Sequence, residues 1–263
     1  RRQRQMCIRD RYINLEIRFQ KAGKMRTYII NLKRSVDRRI YMEGQCRKLP
    51  FLNVEYINAV DGRNMSPDER TAAFDEKEFE KRYSVKVRPG EIGCTLSHQK
   101  CYKKIVEERL PYALILEDDI SLSVDIKAAL EKIGEMMQTD IPTVVLLSGW
   151  YWYGNITHLE GEYKLANVYD AFLTHSYVIN LAAAKLLIET RPYITADDWY
   201  YIRHKGVKLQ AVLPHLINQL WDGDLTTTVN VEPGRNKSLK WKLLNLPRLS
   251  TCLLYTSDAA DEL

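Results

Sequence analysis

Short apolar segments rich in β-forming residues alternate along this chain with segments whose apolar residues recur at helical spacing. TYIINL at 27–32, YALILE at 112–117 and TVVLLSG at 143–149 are typical of buried strands. SVDRRIYMEGQCRKL at 35–49 and TLSHQKCYKKIVEERL at 95–110 have the apolar spacing of amphipathic helices. This alternation predicts an α/β fold with a mostly parallel sheet and helices packed on both of its faces.

Other segments extend the same pattern. Further strands are predicted at 52–60 and 174–181, and further helices at 121–137 and 182–191. Ser35 and Ser66 are placed to cap helices, and Pro67 suits the first turn of a helix. RPGEIGC at 88–94 has the proline and glycine content of a loop.

The composition limits the class of protein. The chain has 263 residues, of which 45% are hydrophobic and 28% charged, so it can bury a core without disulfides. Its longest apolar runs fall short of the roughly 20 residues that cross a bilayer. A net charge of +5 suits an anionic ligand, but a dense basic stripe typical of nucleic-acid-binding domains is missing. Five cysteines without a CxxC pair predict reduced thiols in a cytoplasmic protein.

The two ends of the chain differ from the rest. MCIRDR near the start and LLYTSDAADEL at the end resemble translated adapter or vector sequence. We therefore predict a non-native leader at 1–24, a single domain at 25–249 and a non-native tail at 250–263. The basic segment at 231–247 predicts either a terminal helix packed on the core or an amphipathic segment at a membrane surface.

Three consecutive carboxylates, Glu117, Asp118 and Asp119, follow the predicted strand at 112–117. Ligands of open α/β sheets bind outside the carboxyl ends of the strands. A divalent cation relieves the repulsion between clustered carboxylates, and Mg²⁺ is commonly held by carboxylates together with substrate phosphates. The cluster therefore suggests a metal–diphosphate site, although the same acids could be solvated or could cap the next helix.

Basic and polar residues follow the first predicted strand. Asn31 ends it, and Asp37, Arg38 and Arg39 come soon after. Arginines at a strand end can bind phosphate oxygens through their forked guanidinium groups. The alternative is a solvated basic helix turn.

A third group precedes and begins the helix predicted at 95–110. Gly90 and Gly93 would let a phosphate approach the backbone near a helix N-terminus. His98 would face the same region one turn into the helix. A single histidine is as often a structural hydrogen-bonding residue.

Together, INLKRSVDRR, GEIGCTLSH and LILEDDI closely resemble glycosyltransferase family 25, and they occur in the order that the family has them. THSYVINLAAAKLL and ITADDWYY resemble two further blocks of that family. The resemblance implies a GT-A type, Rossmann-like fold. It also implies an inverting transfer of a hexose from a UDP-sugar, typically UDP-galactose, to a glycan acceptor such as bacterial lipooligosaccharide or lipopolysaccharide.

The resemblance further implies which residues form the site. Asp119 and Glu117 would hold Mn²⁺ or Mg²⁺ against the donor diphosphate, with Glu117 in place of the first acid of a D-x-D pattern. Asp118 would meet the ribose or the sugar. The full set implied for the donor is Asn31, Asp37, Arg38, Glu91, Gly93, Ser97, His98 and Asp118.

An inverting transfer needs a base for the acceptor hydroxyl. Asp198 and Asp197 in ADDW are the candidates that the resemblance places downstream, and Trp199 beside them could stack on a sugar. The two acids could equally cap a helix. The rival carboxylates are Asp170, Glu162 and Asp222.

Several residues are weaker candidates for the site. His175 and His215 could lie near the donor, and Ser148 and Gly149 could line the cleft. The aromatic run GWYWYG at 149–154 suits either sugar stacking or the edge of a hydrophobic core.

We expect a lipid-linked saccharide acceptor, a cytoplasmic enzyme at the inner membrane with peripheral contact to anionic lipid, and no nucleic-acid partner. Two alternatives keep the donor site: a UDP-sugar-binding protein without transfer activity and a nucleotide-sugar hydrolase. A third is a basic nucleic-acid-binding domain that uses Arg38, Arg39 and the helix at 98–109. The strand-end acids argue against it because they would repel a polyanion.

Overall fold

The computed structural model describes residues 24–220 as an α/β unit. Its strands are β1 (Met25–Asn31), β2 (Leu52–Asn58), β3 (Tyr112–Glu117), β4 (Ile120–Leu122), β5 (Thr143–Leu146), β6 (Trp150–Glu160), β7 (Tyr163–Phe172), β8 (Ser176–Asn180), β9 (Lys208–Leu213) and β10 (Ile217–Gln219). Its α-helices are α1 (Val36–Cys46), α2 (Pro67–Ala73), α3 (Glu76–Tyr83), α4 (Pro89–Glu107), α5 (Lys127–Met136), α6 (Leu181–Ile188) and α7 (Trp199–His204).

The central sheet has the strand order β2-β1-β3-β8-β5-β9-β7-β6. β1 pairs in parallel with β2 and with β3, and β5 pairs in parallel with β9. β8 and β7 run antiparallel to both of their neighbours. Six of the eight strands therefore share one direction, which confirms the predicted mostly parallel sheet with flanking helices.

Alternating side chains of the inner strands enter two separate cores, one on each face of the sheet. Tyr28 and Ile115 belong to the core beneath α4, α6 and α7. Ile29 and Leu114 belong to the core beneath α1 and α5. Burial on both faces explains why these strands have continuous apolar sequences.

The helix α4 begins earlier than the sequence pattern predicts. Residues 89–94, assigned to a loop, form its first turns. Pro89 occupies the first helical position, where a missing N–H costs nothing. The carboxylate of Glu91 accepts a hydrogen bond of 2.7 Å from the backbone N–H of Arg88. The predicted loop is therefore wrong, because a proline and glycine cluster can also begin a helix.

Ser66 and Pro67 begin α2 as predicted. The Ser66 hydroxyl accepts from the Glu69 N–H at 3.2 Å, and the Glu69 carboxylate accepts from the Ser66 N–H at 2.7 Å. Ser35 precedes α1 in the N-cap position, but its side chain makes no capping hydrogen bond there.

Several elements were not predicted. β4, in place of the start of a helix, pairs antiparallel with β10. α3 has a mostly charged sequence, but Phe79 and Tyr83 bury its one apolar stripe. β6 and β7 form a long hairpin, whose alternation is obscured by register shifts along the pairing.

No helix among residues 24–220 combines the length and the apolar character needed to cross a bilayer. Cys46, Cys94 and Cys101 are unpaired thiols in this part of the chain. The predicted leader up to residue 23, the basic segment at 231–247, the tail at 250–263 and Asp222 lie outside the described residues. The single domain at 25–249 therefore stays a prediction.

Candidate donor site at the carboxyl edge of the sheet

The predicted strand-end residues meet at one edge of the sheet. β1 and β3 are parallel neighbours, and Ile30 lies opposite Glu117 in their ladder. Asn31 at the end of β1 is therefore adjacent to the acids that follow β3. Parallel pairing thus brings together residues that lie more than eighty positions apart in the chain.

Asp118 is held by two residues from the first βα unit. The amide of Asn31 donates to Asp118 Oδ2 at 2.7 Å, and Nη1 of Arg38 donates to Oδ1 at 2.7 Å. Burial raises the pKa of Asp118, and these two contacts oppose that shift. Both carboxylate oxygens thus have partners within the protein, so Asp118 anchors α1 to the end of β3.

Glu117 lies against a buried chain of hydrogen bonds. Nε2 of His98 is 3.2 Å from Glu117 Oε1, and Nδ1 of His98 is 2.6 Å from the Tyr177 hydroxyl. The Tyr177 hydroxyl is in turn 2.8 Å from that of Tyr102. Burial alone would raise the pKa of Glu117, but the contact with His98 and nearby charges, including that of Arg38, together outweigh it and leave this pKa below its usual value.

Asp119 is the least satisfied of the three acids. Its Oδ1 is buried and has no hydrogen-bond partner among the described residues, while Oδ2 lies 3.5 Å from Arg38 Nη1. Burial, and then the charge of Glu117, raise the pKa of Asp119 to about 7. A buried carboxylate oxygen without a partner, next to a second carboxylate, is what a divalent cation would stabilise.

A second combination of ligand atoms includes a thiol. One ligand atom each from Cys94, His98 and Glu117 lies within 4.8 Å of the others. Burial raises the pKa of the Cys94 thiol well above its usual value, so this sulfur is protonated at neutral pH. A protonated thiol is a poor ligand, and Mg²⁺ and Mn²⁺ prefer carboxylate oxygens. The pair Glu117 and Asp119 therefore fits these ions better.

Beside the acids lies a cleft lined by three arginines, Arg34, Arg38 and Arg63. Arg34 forms an ion pair with Asp61, and the backbone N–H of Arg63 donates to the same carboxylate at 3.3 Å. The sequence argument selected only Arg38 of the three. Arg63 could have been found, because it lies in a glycine-containing turn shortly after β2, the parallel neighbour of β1.

The other residues predicted to bind the donor divide into two groups. Ser97 and His98 line the cleft. Ser97 also bridges backbone segments, since its hydroxyl donates to Gly93 O at 2.6 Å and accepts from Val60 N at 2.8 Å. Asp37 is exposed on α1, and Glu91 caps α4.

Gly93 is not available for the predicted approach of a phosphate. A Cβ atom at this position would lie 2.5 Å from Val60 O and 2.7 Å from Gly62 N. The missing side chain therefore allows α4 to pack against the turn at 60–62. Arg39 likewise faces away from the cleft: its guanidinium pairs with Glu43 at 3.1 Å and lies over the ring of Tyr56.

Asp198 and Asp197 precede α7, and Asp198 is bound tightly within the protein. Its Oδ1 accepts from the Tyr201 N–H at 2.9 Å, as expected for an N-cap. Its Oδ2 accepts from Nη2 of Arg82 at 3.1 Å and from the Tyr83 hydroxyl. These contacts favour a structural role for Asp198.

Asp197 lies close enough to the cleft for its charge to raise the pKa of Cys94, together with burial and the charges of Glu117 and Asp119. The predicted stacking of a sugar on Trp199 is wrong. Trp199 is fully buried against Tyr177, and its Nε1 donates to Leu173 O at 2.7 Å. An indole next to a helix-capping acid can thus belong to the core.

The remaining candidates differ in their surroundings. His175 is buried, and neither of its ring nitrogens has a hydrogen-bond partner among the described residues. Burial lowers its pKa to about 4, so the imidazole is neutral. His215 packs its ring edge-on against Tyr151, with the ring centres 5.4 Å apart. Glu162 is exposed at the turn of the β6–β7 hairpin.

Comparison with known proteins identifies the relatives of this chain. It is 29% identical over 214 residues to a glycosyltransferase 25 family member of Aedes aegypti. The match covers 76% of the chain and 34% of that protein. It is 28% identical over 180 residues to human procollagen galactosyltransferase 2, a match that covers 66% of the chain and 29% of that protein. It is 27% identical over 178 residues to a probable inactive glycosyltransferase 25 family member 3 of Bos taurus, a match that covers 65% of the chain and 30% of that protein.

The chain spans about a third of the length of these relatives. The model of the family described as glycosyltransferase family 25 (LPS biosynthesis protein) matches residues 25–201, which include β1, α4, the acids after β3 and the start of α7. The predicted resemblance is confirmed: the chain belongs to glycosyltransferase family 25.

Proposed function

We propose that this chain transfers a hexose from a nucleotide diphosphate sugar to a glycan acceptor, at the carboxyl edge of its sheet. One observation carries the proposal: a cleft lined by Arg34, Arg38 and Arg63 lies directly beside three consecutive carboxylates. Arginines bind phosphate oxygens, and the acids suit a cation that bridges to the same phosphates. Family membership supplies the reaction class, and this juxtaposition supplies the site.

Glu117 and Asp119 would hold Mn²⁺ or Mg²⁺. The support is the buried Oδ1 of Asp119, which lacks a hydrogen-bond partner, and the repulsion from Glu117 that helps raise its pKa. When bound, the ion would supply positive charge next to the departing nucleotide diphosphate. Asn31 and Arg38 support this role indirectly, because they hold the intervening Asp118 in a fixed position.

Asp197 is the better of the two proposed bases because Asp198 is occupied by Arg82, Tyr83 and the first turn of α7. In a single displacement the acceptor hydroxyl would give its proton to Asp197. The acceptor oxygen would bond to the anomeric carbon, and the bond from that carbon to the phosphate oxygen would break. The nucleotide diphosphate would leave with the electron pair, and attack from the opposite face would invert the anomeric centre.

The finer assignments rest on the names of relatives. A human relative is a procollagen galactosyltransferase, which favours UDP-galactose as the donor. The family description refers to LPS biosynthesis, which favours a lipid-linked saccharide acceptor at the cytoplasmic face of a membrane. These two names differ in the acceptor, so an assay has to offer both a lipooligosaccharide fragment and a collagen peptide.

The metal and donor site is tested by thermal unfolding with UDP, with MnCl₂ and with both together. We expect the largest rise in Tm with both, because ligands that bind only the native state stabilise it. Asp119→Asn should lose this joint effect, while Asp125→Asn, an exposed acid outside the cleft, should keep it. Equal stabilisation by UDP without manganese, unchanged in Asp119→Asn, would contradict the proposed metal site.

Transfer is tested separately with UDP-galactose, UDP-glucose and UDP-N-acetylglucosamine, by measuring UDP release with and without acceptor. Acceptor-dependent release and a glycosylated product are expected. Release without acceptor would instead identify a nucleotide-sugar hydrolase. Joint stabilisation by UDP and manganese without any release would identify a donor-binding protein, a result that the name of the bovine relative makes worth testing.

A further inference from the structure

The hairpin of β6 and β7 presents one face that is unusually rich in aromatic side chains. Trp150 lies opposite Phe172 in the pairing, and Trp152 lies opposite Asp170. Residues directly opposite each other on paired strands, and residues two apart on one strand, share a face. Trp150, Trp152, Asp170 and Phe172 therefore form one face of the hairpin, here called the Trp150 face.

The next residues along the same strands lie on the opposite face of the hairpin. Tyr151 and Ala171 face the core beneath α4, α6 and α7 and are buried. Core packing therefore accounts for half of the aromatic run and leaves the Trp150 face unexplained. Trp150 is 54% exposed, and the rings of Trp152 and Phe172 meet edge-on with their centres 5.4 Å apart. An exposed tryptophan next to further aromatic rings is typical of a binding surface.

Asp170 adds a polar group to this face. Its Oδ1 accepts a hydrogen bond of 2.8 Å from the Ala171 N–H. Within residues 24–220 no other side chain forms a hydrogen bond or ion pair with this carboxylate, although Asp198, Arg203 and Asp197 are near enough to influence it electrostatically. An acid so placed can accept hydrogen bonds from hydroxyl groups of a ligand.

The Trp150 face begins close in sequence to residues at the candidate donor site. β6 starts just after β5 ends, and β7 ends three residues before His175, whose carbonyl accepts from the Glu117 N–H at 2.8 Å. Asp197 influences both Asp170 and Cys94, a cleft residue. The proposed base therefore lies within electrostatic range of Asp170 on the Trp150 face and of Cys94 in the arginine cleft.

We propose that the Trp150 face binds a hexopyranose unit of the acceptor glycan, with a sugar ring packed on Trp150 and Trp152 and sugar hydroxyls hydrogen-bonded to Asp170. This proposal rests on the proposed function. The C–H face of a pyranose is apolar and its rim carries hydroxyls, so aromatic rings beside one carboxylate match it. Neither a nucleotide diphosphate nor an anionic lipid suits a surface on which the acid is the polar group.

The test is saturation-transfer NMR with methyl β-D-galactopyranoside, methyl β-D-glucopyranoside and lactose, each with the whole chain. We expect saturation of sugar ring protons for at least one of them. Trp150→Ala and Asp170→Asn should each weaken binding by about tenfold. Ile156→Ala, an exposed apolar residue on the same hairpin, is the matched control and should bind as the wild type does.

Trp150 is exposed and Asp170→Asn keeps the size of the side chain, so both variants should fold, which a native-like Tm will verify. Stabilisation by UDP with manganese should be unchanged in both, since neither residue lines the arginine cleft. Absence of saturation transfer to all three sugars would overturn the proposal. Equal saturation-transfer signals from Trp150→Ala and the wild type would overturn it as well. Sugar binding without any change of Tm on addition of UDP and manganese would support the Trp150 face as a sugar site. The same result would contradict the proposed function.

Discussion

Arg38 and Asp118 form a buried ion pair that joins the first helix to the end of β3. Nη1 of Arg38 is 2.7 Å from Asp118 Oδ1, and both side chains are 10% exposed. Removing one partner of such a pair leaves an uncompensated buried charge. Each partner therefore depends on the other, and the pair fixes the acids on either side of Asp118.

Arg38→Gln should both destabilise the protein and weaken UDP binding. We expect a loss of about 3 kcal/mol in the free energy of unfolding, because Asp118 remains buried without its cation. Urea unfolding and UDP titration measure the two effects. Arg39→Gln is the control: Arg39 is exposed and pairs with Glu43 on the helix surface, so it should change stability by less than about 0.5 kcal/mol. Equal effects of the two substitutions would refute this role of Arg38.

Asp197→Asn and Asp198→Asn should have different consequences. Asp198→Asn should reduce the free energy of unfolding by about 2 kcal/mol because the ion pair with Arg82 is lost, although asparagine can still cap α7. Asp197→Asn should lower kcat, since a base is lost. Chemical denaturation and the transfer assay separate the two. Full turnover in Asp197→Asn would place the base elsewhere.

Gly93→Ala should destabilise the protein, although alanine favours helices. The added Cβ would meet Val60 O at 2.5 Å, a backbone atom that cannot move without shifting the turn at 60–62. We expect a loss of about 2 kcal/mol, measured by urea unfolding. Gly44→Ala in α1 is the matched control, because nothing lies within 4 Å of its added Cβ. It should stabilise the protein by up to about 1 kcal/mol.

The pH dependence of stability should contain a contribution from Asp170. Burial, and to a smaller extent the charges of Asp198 and Asp197, raise its pKa from 3.8 to about 6, against the opposing effects of the Ala171 N–H and of Arg203. Between these values the native carboxyl keeps a proton that the unfolded chain loses, so this contribution falls as the pH rises from about 4 to about 6.

Asp170→Asn should therefore be more stable than the wild type at about pH 7, and the difference should shrink towards about pH 4. Urea unfolding at a series of pH values measures it. Glu162→Gln, at the exposed turn of the same hairpin, is the control. A difference that is constant across this range would show that Asp170 titrates normally in the native state.

The inner strands and the strand-end acids were predictable because their signals are local. TYIINL and YALILE are apolar over a whole strand length, and Glu117, Asp118 and Asp119 are adjacent in the sequence. The start of α4 was not predictable, because proline and glycine, here Pro89 and Gly90, occur in loops as well as in first helical turns. The β6–β7 hairpin was not either, because its register shifts disturb the alternation on which a strand prediction depends.

The amino-acid sequence by itself determined the family, the α/β class and the acids that end β3, since each follows from residues close together in the chain. Only the tertiary structure decided which of these residues line the cleft and which serve the fold. Asp198 is occupied by Arg82, Trp199 is buried and Gly93 packs against Val60, whereas Arg63 reaches the cleft. The physical reason is that hydrogen bonding and burial depend on partners distant in sequence, which parallel strand pairing and helix packing bring together.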